Sequence, residues 1–262
     1  MSLSLLDIRY FSLTMRLSRA EARVDPVRNP ALDVISASTS TSIGQGDERW
    51  QPAVAALGRL MVAQSSQRAA RRIRLIVGND FVRYLLVPWT PKRLDEVERE
   101  QFARAMMAER FGEGAGKWRL ALERQRFSRP ALAAAIDADM FEAVQRLVAE
   151  NGYRLISVVP ALVAELNRFR RRMGKVSRGW LVDASDGRVA SLAFHGGAWA
   201  QVGNDRYAGL EGGLKEKLPP LLRRDTLRVS ALSGATVFLA NGTGNQLPGL
   251  IERVWPVVNL DA

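Results

Sequence analysis

Between Gly179 and Val202 the chain reads GWLVDASDGRVASLAFHGGAWAQV, three apolar runs separated by Asp186-Gly187 and Gly196-Gly197. Asp-Gly between alternating apolar segments signals a tight hairpin, because both turn residues must accept positive φ. A hairpin that opens on Asp and small residues can aim backbone N–H groups at an anion such as a phosphate. Here the run Asp183-Ala184-Ser185-Asp186-Gly187 keeps only some of the small residues and adds a second carboxylate where a phosphate prefers none. The stretch therefore reads as the remains of a nucleotide site.

Other chemistry is sparse. There is no cysteine, which excludes disulfides and thiolate metal sites, and one histidine, His195, which sits before a Gly-Gly turn as a hairpin-end residue. A histidine metal site or a Ser-His-Asp triad is not expected. Positive charge is plentiful. Thirty-eight Lys+Arg against 27 Asp+Glu give a net charge of +11, which favours an acidic partner, a nucleic acid or an anionic membrane face. The arginines gather at Arg68, Arg71, Arg72 and Arg74, and again at Arg168, Arg170, Arg171, Arg172, Lys175 and Arg178. The second group closes a predicted helix, where cations suit the helix dipole.

The elements that must position these residues follow from periodicity. Leu3 to Leu17 suggests two strands joined around Asp7 to Tyr10, Ala31 to Ile35 a short strand, and Ser36 to Asp47 a loop. Trp50, Val54, Leu57 and Met61 recur on one helical face. IRLIV and FVRYLLV flank Gly78-Asn79-Asp80 and read as a second hairpin. Leu94 to Phe111 reads as a helix with Leu94, Val97, Phe102 and Met106 inward, followed by strands at Trp118 to Phe127 and Leu132 to Ile136. Asp137 caps a helix over Ala138 to Asn151, stopped by Gly152. A strand, Tyr153 to Val159, leads through Pro160 into a helix faced by Leu162, Val163, Leu166 and Phe169. Beyond the hairpins, Leu210, Leu214 and Leu218 line a helix stopped by Pro219-Pro220. Leu227 to Leu232 reads as a short strand, Thr236 to Leu239 as a buried one, and Leu250 to Val254 as a last helix. Hairpins mixed with strand–helix alternation indicate α/β with mixed sheets.

No run approaches the ~20 apolar residues of a membrane-spanning helix. The start, MSLSLLDIRYFSLTMRL, is broken by Asp7 and Arg9 and does not resemble a signal peptide. A cytoplasmic, soluble chain is the expectation.

Three separated pieces resemble the actin-like ATPases. LDIRYFSLTMRL resembles their first phosphate hairpin, LVDASDGRVASLAFHGG their second, and VFLANGTGNQLPGLIERVWPV their adenosine turn and helix. Between them, IRLIVGNDFVRYLLVPW and AAAIDADMFEAVQRLVAENGYRLISVVPALVAELNRF resemble one branch, the cytoplasmic assembly proteins of type IV pilus and type II secretion systems, the PilM/GspL family. The resemblance implies a two-lobed actin-like (ribonuclease H-like) fold. Residues 1–88 would start the first lobe, 89–156 form an FtsA-like inserted subdomain, 157–177 return through a helix, and 178–262 make a shortened second lobe.

By that resemblance Asp7 and Asp183 stand where Mg²⁺-related carboxylates belong, and each can equally cap its own turn. Arg9 replaces a glycine that would let backbone approach a phosphate. In the second motif Ala184-Ser185 stands in place of glycine while Gly187 is kept, and at the adenosine turn Ala240-Asn241 replaces one glycine while Gly242 and Gly244 remain. No cofactor is expected, ATP with Mg²⁺ being the alternative if the altered site still binds, and no catalytic or metal residue is assigned. The implied function is a non-catalytic scaffold, a pseudo-ATPase on the cytoplasmic side of an inner-membrane assembly platform. It would clamp a peptide of a membrane partner between the first lobe and the inserted subdomain, with Phe81, Tyr84, Trp89, Phe102 and Met106 as contacts. The machine's own ATPase is a further partner, and the secretion branch usually continues into a membrane helix that this chain lacks, which favours a separate subunit peripheral to the inner membrane. An actin-like ATPase or small-molecule kinase is the second reading. A basic nucleic-acid binder is the third, with no recognised motif behind it. Oligomeric state stays open.

Overall fold

The computed structural model describes residues 13–17, 22–25, 50–64, 72–185, 187–206, 213–240 and 255–260. The order is β1 (Leu13–Leu17), β2 (Ala22–Asp25), α1 (Gln51–Gln64), β3 (Arg72–Val77), β4 (Arg83–Val87), α2 (Glu96–Phe111), β5 (Trp118–Leu122), β6 (Ala131–Asp137), α3 (Ala138–Glu150), β7 (Arg154–Pro160) and α4 (Ala161–Met173). Then come β8 (Arg178–Ser185), β9 (Arg188–His195), β10 (Ala198–Arg206), α5 (Gly213–Arg228), β11 (Thr236–Ala240) and β12 (Val257–Asn259).

Three sheets result. The first runs β2-β1-β3-β7, with β3 parallel to both β1 and β7. The second runs β10-β9-β8-β11-β12, and the third is the small β4-β6-β5 sheet. Helix α4 lies between the first two sheets. Its Leu162, Val163, Phe169 and Met173 join β3, β7, β8 and β9 residues in one core. Helices α1 and α3 pack together on the first sheet, so closely that a Cβ on Gly58 would stand 3.1 Å from Leu147 Cδ1.

The small sheet is covered on both sides. Tyr84, Leu132, Ala134 and Ile136 face the main core, while Leu85, Val87, Ala133 and Ala135 face Ala103 and Met107 of α2. A strand buried on both faces loses its polar alternation, which is why β6 reads as ALAAAID. Asp95 caps α2 through a reciprocal capping box with Glu98.

Several expectations change. Gly78-Asn79-Asp80 does not turn a hairpin: β3 and β4 leave it into different sheets. Both flanking runs are apolar because both strands are buried, and that pattern does not name their partners. The small sheet draws its strands from 83–137, and α3 packs in the same main core as one face of that sheet. On α2 the buried stripe is Ala103 and Met107, with Val97 64% exposed and Phe102 38% exposed, because a three-stranded sheet covers only a narrow face. Helix α5 runs through Pro219 and Pro220, held by buried Leu218, Leu221 and Leu222 on either side of them. The expected strand at Leu227 to Leu232 is the end of α5 followed by a short 3₁₀ turn. Strands β2 and β12 escaped the sequence reading. Asp7, Arg9, Ala31 to Ile35, Asp47, Gly242, Gly244 and the last expected helix lie outside the described residues.

Candidate functional site

The carboxyl ends of β3, β7 and β8 converge between the first two sheets, the position where open α/β sheets bind ligands. There Asp183, near the end of β8, is fully buried. Its Oδ2 accepts a 2.8 Å hydrogen bond from Asn79 Nδ2, from the segment after β3. Asn79 Oδ1 accepts from the Tyr84 hydroxyl at 2.8 Å and from the Leu162 N–H, at the start of α4, at 3.3 Å. Asn204 of β10 closes the knot, its Nδ2 donating to the carbonyls of Asn79 (2.7 Å) and Val82 (2.9 Å). Arg188 fixes Asn204 in turn, donating to its side-chain and main-chain oxygens at 2.9 Å. A buried amide can make several bonds at once, and each one removes a desolvation cost.

This arrangement answers how the described cleft suits a nucleotide and its metal. A Mg²⁺-associated carboxylate must present open oxygens to the ion or its waters. Asp183 instead lies inside the protein, with its Oδ2 engaged by a neutral amide. Among the described residues no cluster of three or more metal-ligating side chains occurs. Ser185 ends β8 and Gly187 turns into β9 at φ 74°, as the hairpin chemistry requires.

The expected partner contacts are scattered. Tyr84 is 3% exposed and serves the knot, so it is corrected from a peptide contact to an internal bond donor. Phe81 packs on the main core and Met106 on the core of the small sheet. Trp89 stands edge-on to Phe127.

A cleft of about 1280 Å³ instead follows β5, the free edge of the small sheet, between Arg99 and Arg104 of α2 and Asp139 at the start of α3. Glu123 N–H bonds the Leu132 carbonyl, so antiparallel alternation turns the main-chain groups of Trp118, Leu120 and Leu122 toward the cleft. The Trp118 carbonyl already accepts there from Arg104 Nη1 at 3.1 Å.

Arg168, Arg170, Arg171, Arg172, Lys175 and Arg178 are all exposed at and beyond the end of α4. Arg168 pairs with Glu165, and Arg172 bonds the Leu260 carbonyl. In β10 and α5, Arg224 links Asp205 (3.4 Å) to buried Asp225 (3.2 Å). Burial pushes the Asp225 carboxyl up from its ordinary value, and the Arg224 guanidinium only partly offsets this.

Asn79, Asn204 and Arg188 were missed in the sequence. The available signal was a polar Gly-Asn-Asp between two continuously apolar strands, which also matches an ordinary turn.

No protein-family model and no curated protein matches the sequence. Solved structures do. A PilM–PilN type IV pilus biogenesis complex is 15% identical, with 96% of this chain and 89% of that one covered at a TM-score of 0.62. The cytoplasmic domain of EpsL, an inner-membrane component of the type II secretion system of Vibrio cholerae, is 13% identical, covering 95% and 85% at 0.54. A Bacteroides thetaiotaomicron protein of actin-like ATPase fold and unknown function is 10% identical, covering 94% and 89% at 0.56. At these identities the likeness establishes the fold, and the chain is actin-like.

Proposed function

We propose that this actin-like chain is a non-catalytic scaffold of an inner-membrane assembly platform, of the type IV pilus or type II secretion kind, working at the cytoplasmic face. The observation that carries the reading is the Asn79–Asp183 bond, which commits to the fold the one described carboxylate that the actin-like pattern would give to a nucleotide's metal. The two neighbours named for pilus biogenesis and type II secretion support the class of machine.

The scaffold's ligand is an extended segment of a membrane partner, taken along β5. A sheet edge with outward main-chain groups adds a strand readily, and the pockets beside it select side chains. The cleft is lined by charges of both signs, among them Arg99, Arg124, Glu96 and Asp139. It therefore selects a polar segment.

Calorimetric titration with ATP, with and without Mg²⁺, tests the nucleotide half of the reading. No heat up to millimolar ATP is the expected result. Tight Mg²⁺-dependent binding that disappears in Asp183→Ala would overturn it and make the ATPase reading the leading one. For the peptide half, the cytoplasmic segment of a candidate platform partner should bind the wild type and lose affinity in Leu120→Pro, which blocks an edge N–H.

A further inference from the structure

The loop between β5 and β6 carries a feature that the scaffold reading does not use. Its sequence from Arg124 to Pro130, RQRFSRP, holds three arginines, one phenylalanine and no carboxylate. The Arg129 N–H bonds the Arg126 carbonyl at 3.2 Å, closing a turn with Phe127 and Ser128 at its centre. Ser128 sits in the left-handed region at φ 56°, the only described non-glycine residue to do so. A serine there costs on the order of 1 kcal/mol and is retained where surroundings impose it. The result is a phenylalanine 84% exposed at the apex, held edge-on by Trp89 with ring centroids 5.1 Å apart.

This apex is continuous with the basic end of α4. Arg129 Nη1 donates to the Gly197 carbonyl, and a Cβ on Gly197 would stand 3.0 Å from that same nitrogen. The Gly196 N–H bonds the Ser177 carbonyl at 2.8 Å, and Arg178 lies opposite His195 in register. Residues 166–178 add six cations and no carboxylate. The nearest acid of the loop, Glu123, is turned inward by the Trp199 indole N–H (2.6 Å) and the Leu132 N–H (3.1 Å). This face sits at the N-terminal end of β8 and the start of β10, opposite the end that holds Asp183 and Asn79.

We propose that Phe127 and the surrounding arginines dock the protein on an anionic phospholipid surface. An apolar ring projecting from a cationic rim matches the boundary between acyl chains and negatively charged headgroups. Single-stranded nucleic acid calls for a groove with successive stacking rings, whereas here one aromatic pair stands on a convex turn. The inference goes beyond the scaffold reading and rests on it only in placing the chain beside a bilayer.

The test is co-sedimentation of the full chain with vesicles of phosphatidylcholine alone and of phosphatidylcholine mixed with phosphatidylglycerol, over a salt series. The wild type pellets with the anionic vesicles only, and less so as salt rises. Arg126→Ala weakens binding about fivefold, the effect of one cation near an anionic surface. Phe127→Ala weakens it at least about tenfold, as expected for an inserting phenylalanine. Both side chains are exposed, so thermal melts should match the wild type. Arg223→Ala, the same charge change on α5, leaves binding unaltered. Wild-type affinity in Phe127→Ala, or equal pelleting with neutral vesicles, overturns the proposal. So does a DNA gel shift that depends on Arg126 and Phe127 in a chain that ignores vesicles. Absent vesicle binding with intact peptide binding along β5 sinks this inference alone, whereas vesicle binding in a chain that takes no peptide sinks the scaffold reading alone.

Discussion

Asn79 Nδ2 donates to Asp183 Oδ2 at 2.8 Å, joining two residues 104 positions apart and tying the first sheet to the second. The oxygen of that amide accepts from the Tyr84 hydroxyl, of the small sheet, and from the Leu162 N–H in the first turn of α4. One side chain thus fixes three sheets and the helix between them. A buried polar network bonded in this way rigidifies what surrounds it.

Asn79→Ala should therefore destabilise the chain by about 2–3 kcal/mol, because it leaves buried groups on Asp183 and Tyr84 short of a partner. Urea titration followed by tryptophan fluorescence measures this. A change below about 0.5 kcal/mol would show that the knot is incidental to stability. Asn79→Asp should be worse at neutral pH, placing a second carboxylate against Asp183, and should recover as the pH falls.

Gly179 makes a separate prediction about the second sheet. A Cβ there would lie 2.7 Å from the Thr236 carbonyl oxygen and 3.0 Å from the Phe194 ring. The carbonyl is backbone and cannot swing aside. Gly179→Ala should cost about 1–3 kcal/mol through overpacking, read as a lowered melting temperature, whereas Gly114→Ala, with open space around it, should be neutral or nearly so.

Much of the architecture was legible because its signals are local. Asp137 caps a helix, Gly152 ends one at φ 74°, and Gly187, Gly196 and Gly197 occupy the positive-φ turns of the β8–β10 meander. What failed was non-local. Nothing in IRLIV or FVRYLLV says that the first joins β1 and β7 and the second joins β6, since a strand buried on both faces looks the same whichever sheet receives it. The pairing of Asn79 with Asp183 is invisible for the same reason: each residue alone reads as a turn former. The basic group was legible because charge is additive along the chain. Phe127 passed for the end of a strand, and only the Ser128 turn reveals its exposure.

Helix α5 shows tertiary packing overriding propensity. Pro219 and Pro220 remove two N–H donors from its interior, yet the helix continues because Leu218, Leu221 and Leu222 are buried against the second sheet. Pro220 is exposed, so Pro220→Ala restores a helical hydrogen bond without disturbing packing. It should stabilise α5 by about 1–2 kcal/mol, the helix gain less the entropy returned to the unfolded chain. A raised melting temperature would confirm this, and a lowered one would show that the proline's φ restriction is what sets the helix's path.

Asp225 supplies the pH-dependent prediction. Burial raises its carboxyl above the ordinary 3.8, with the Arg224 guanidinium pulling the other way and Asp205 adding a little to the rise. A carboxyl whose folded pKa exceeds its unfolded one binds its proton more tightly in the folded state. Its contribution is therefore fully present below the unfolded value and is lost as pH climbs through the folded one. Asp225→Asn keeps the shape and removes the titration. The variant should gain stability relative to the wild type as pH rises from below 3.8 through the raised value, and the difference should be constant above it. Paired urea titrations across that range decide the matter. A wild type that gains on the variant with rising pH would mean that the Arg224 ion pair, at 3.2 Å, outweighs burial and that Asp225 is stabilised as the carboxylate.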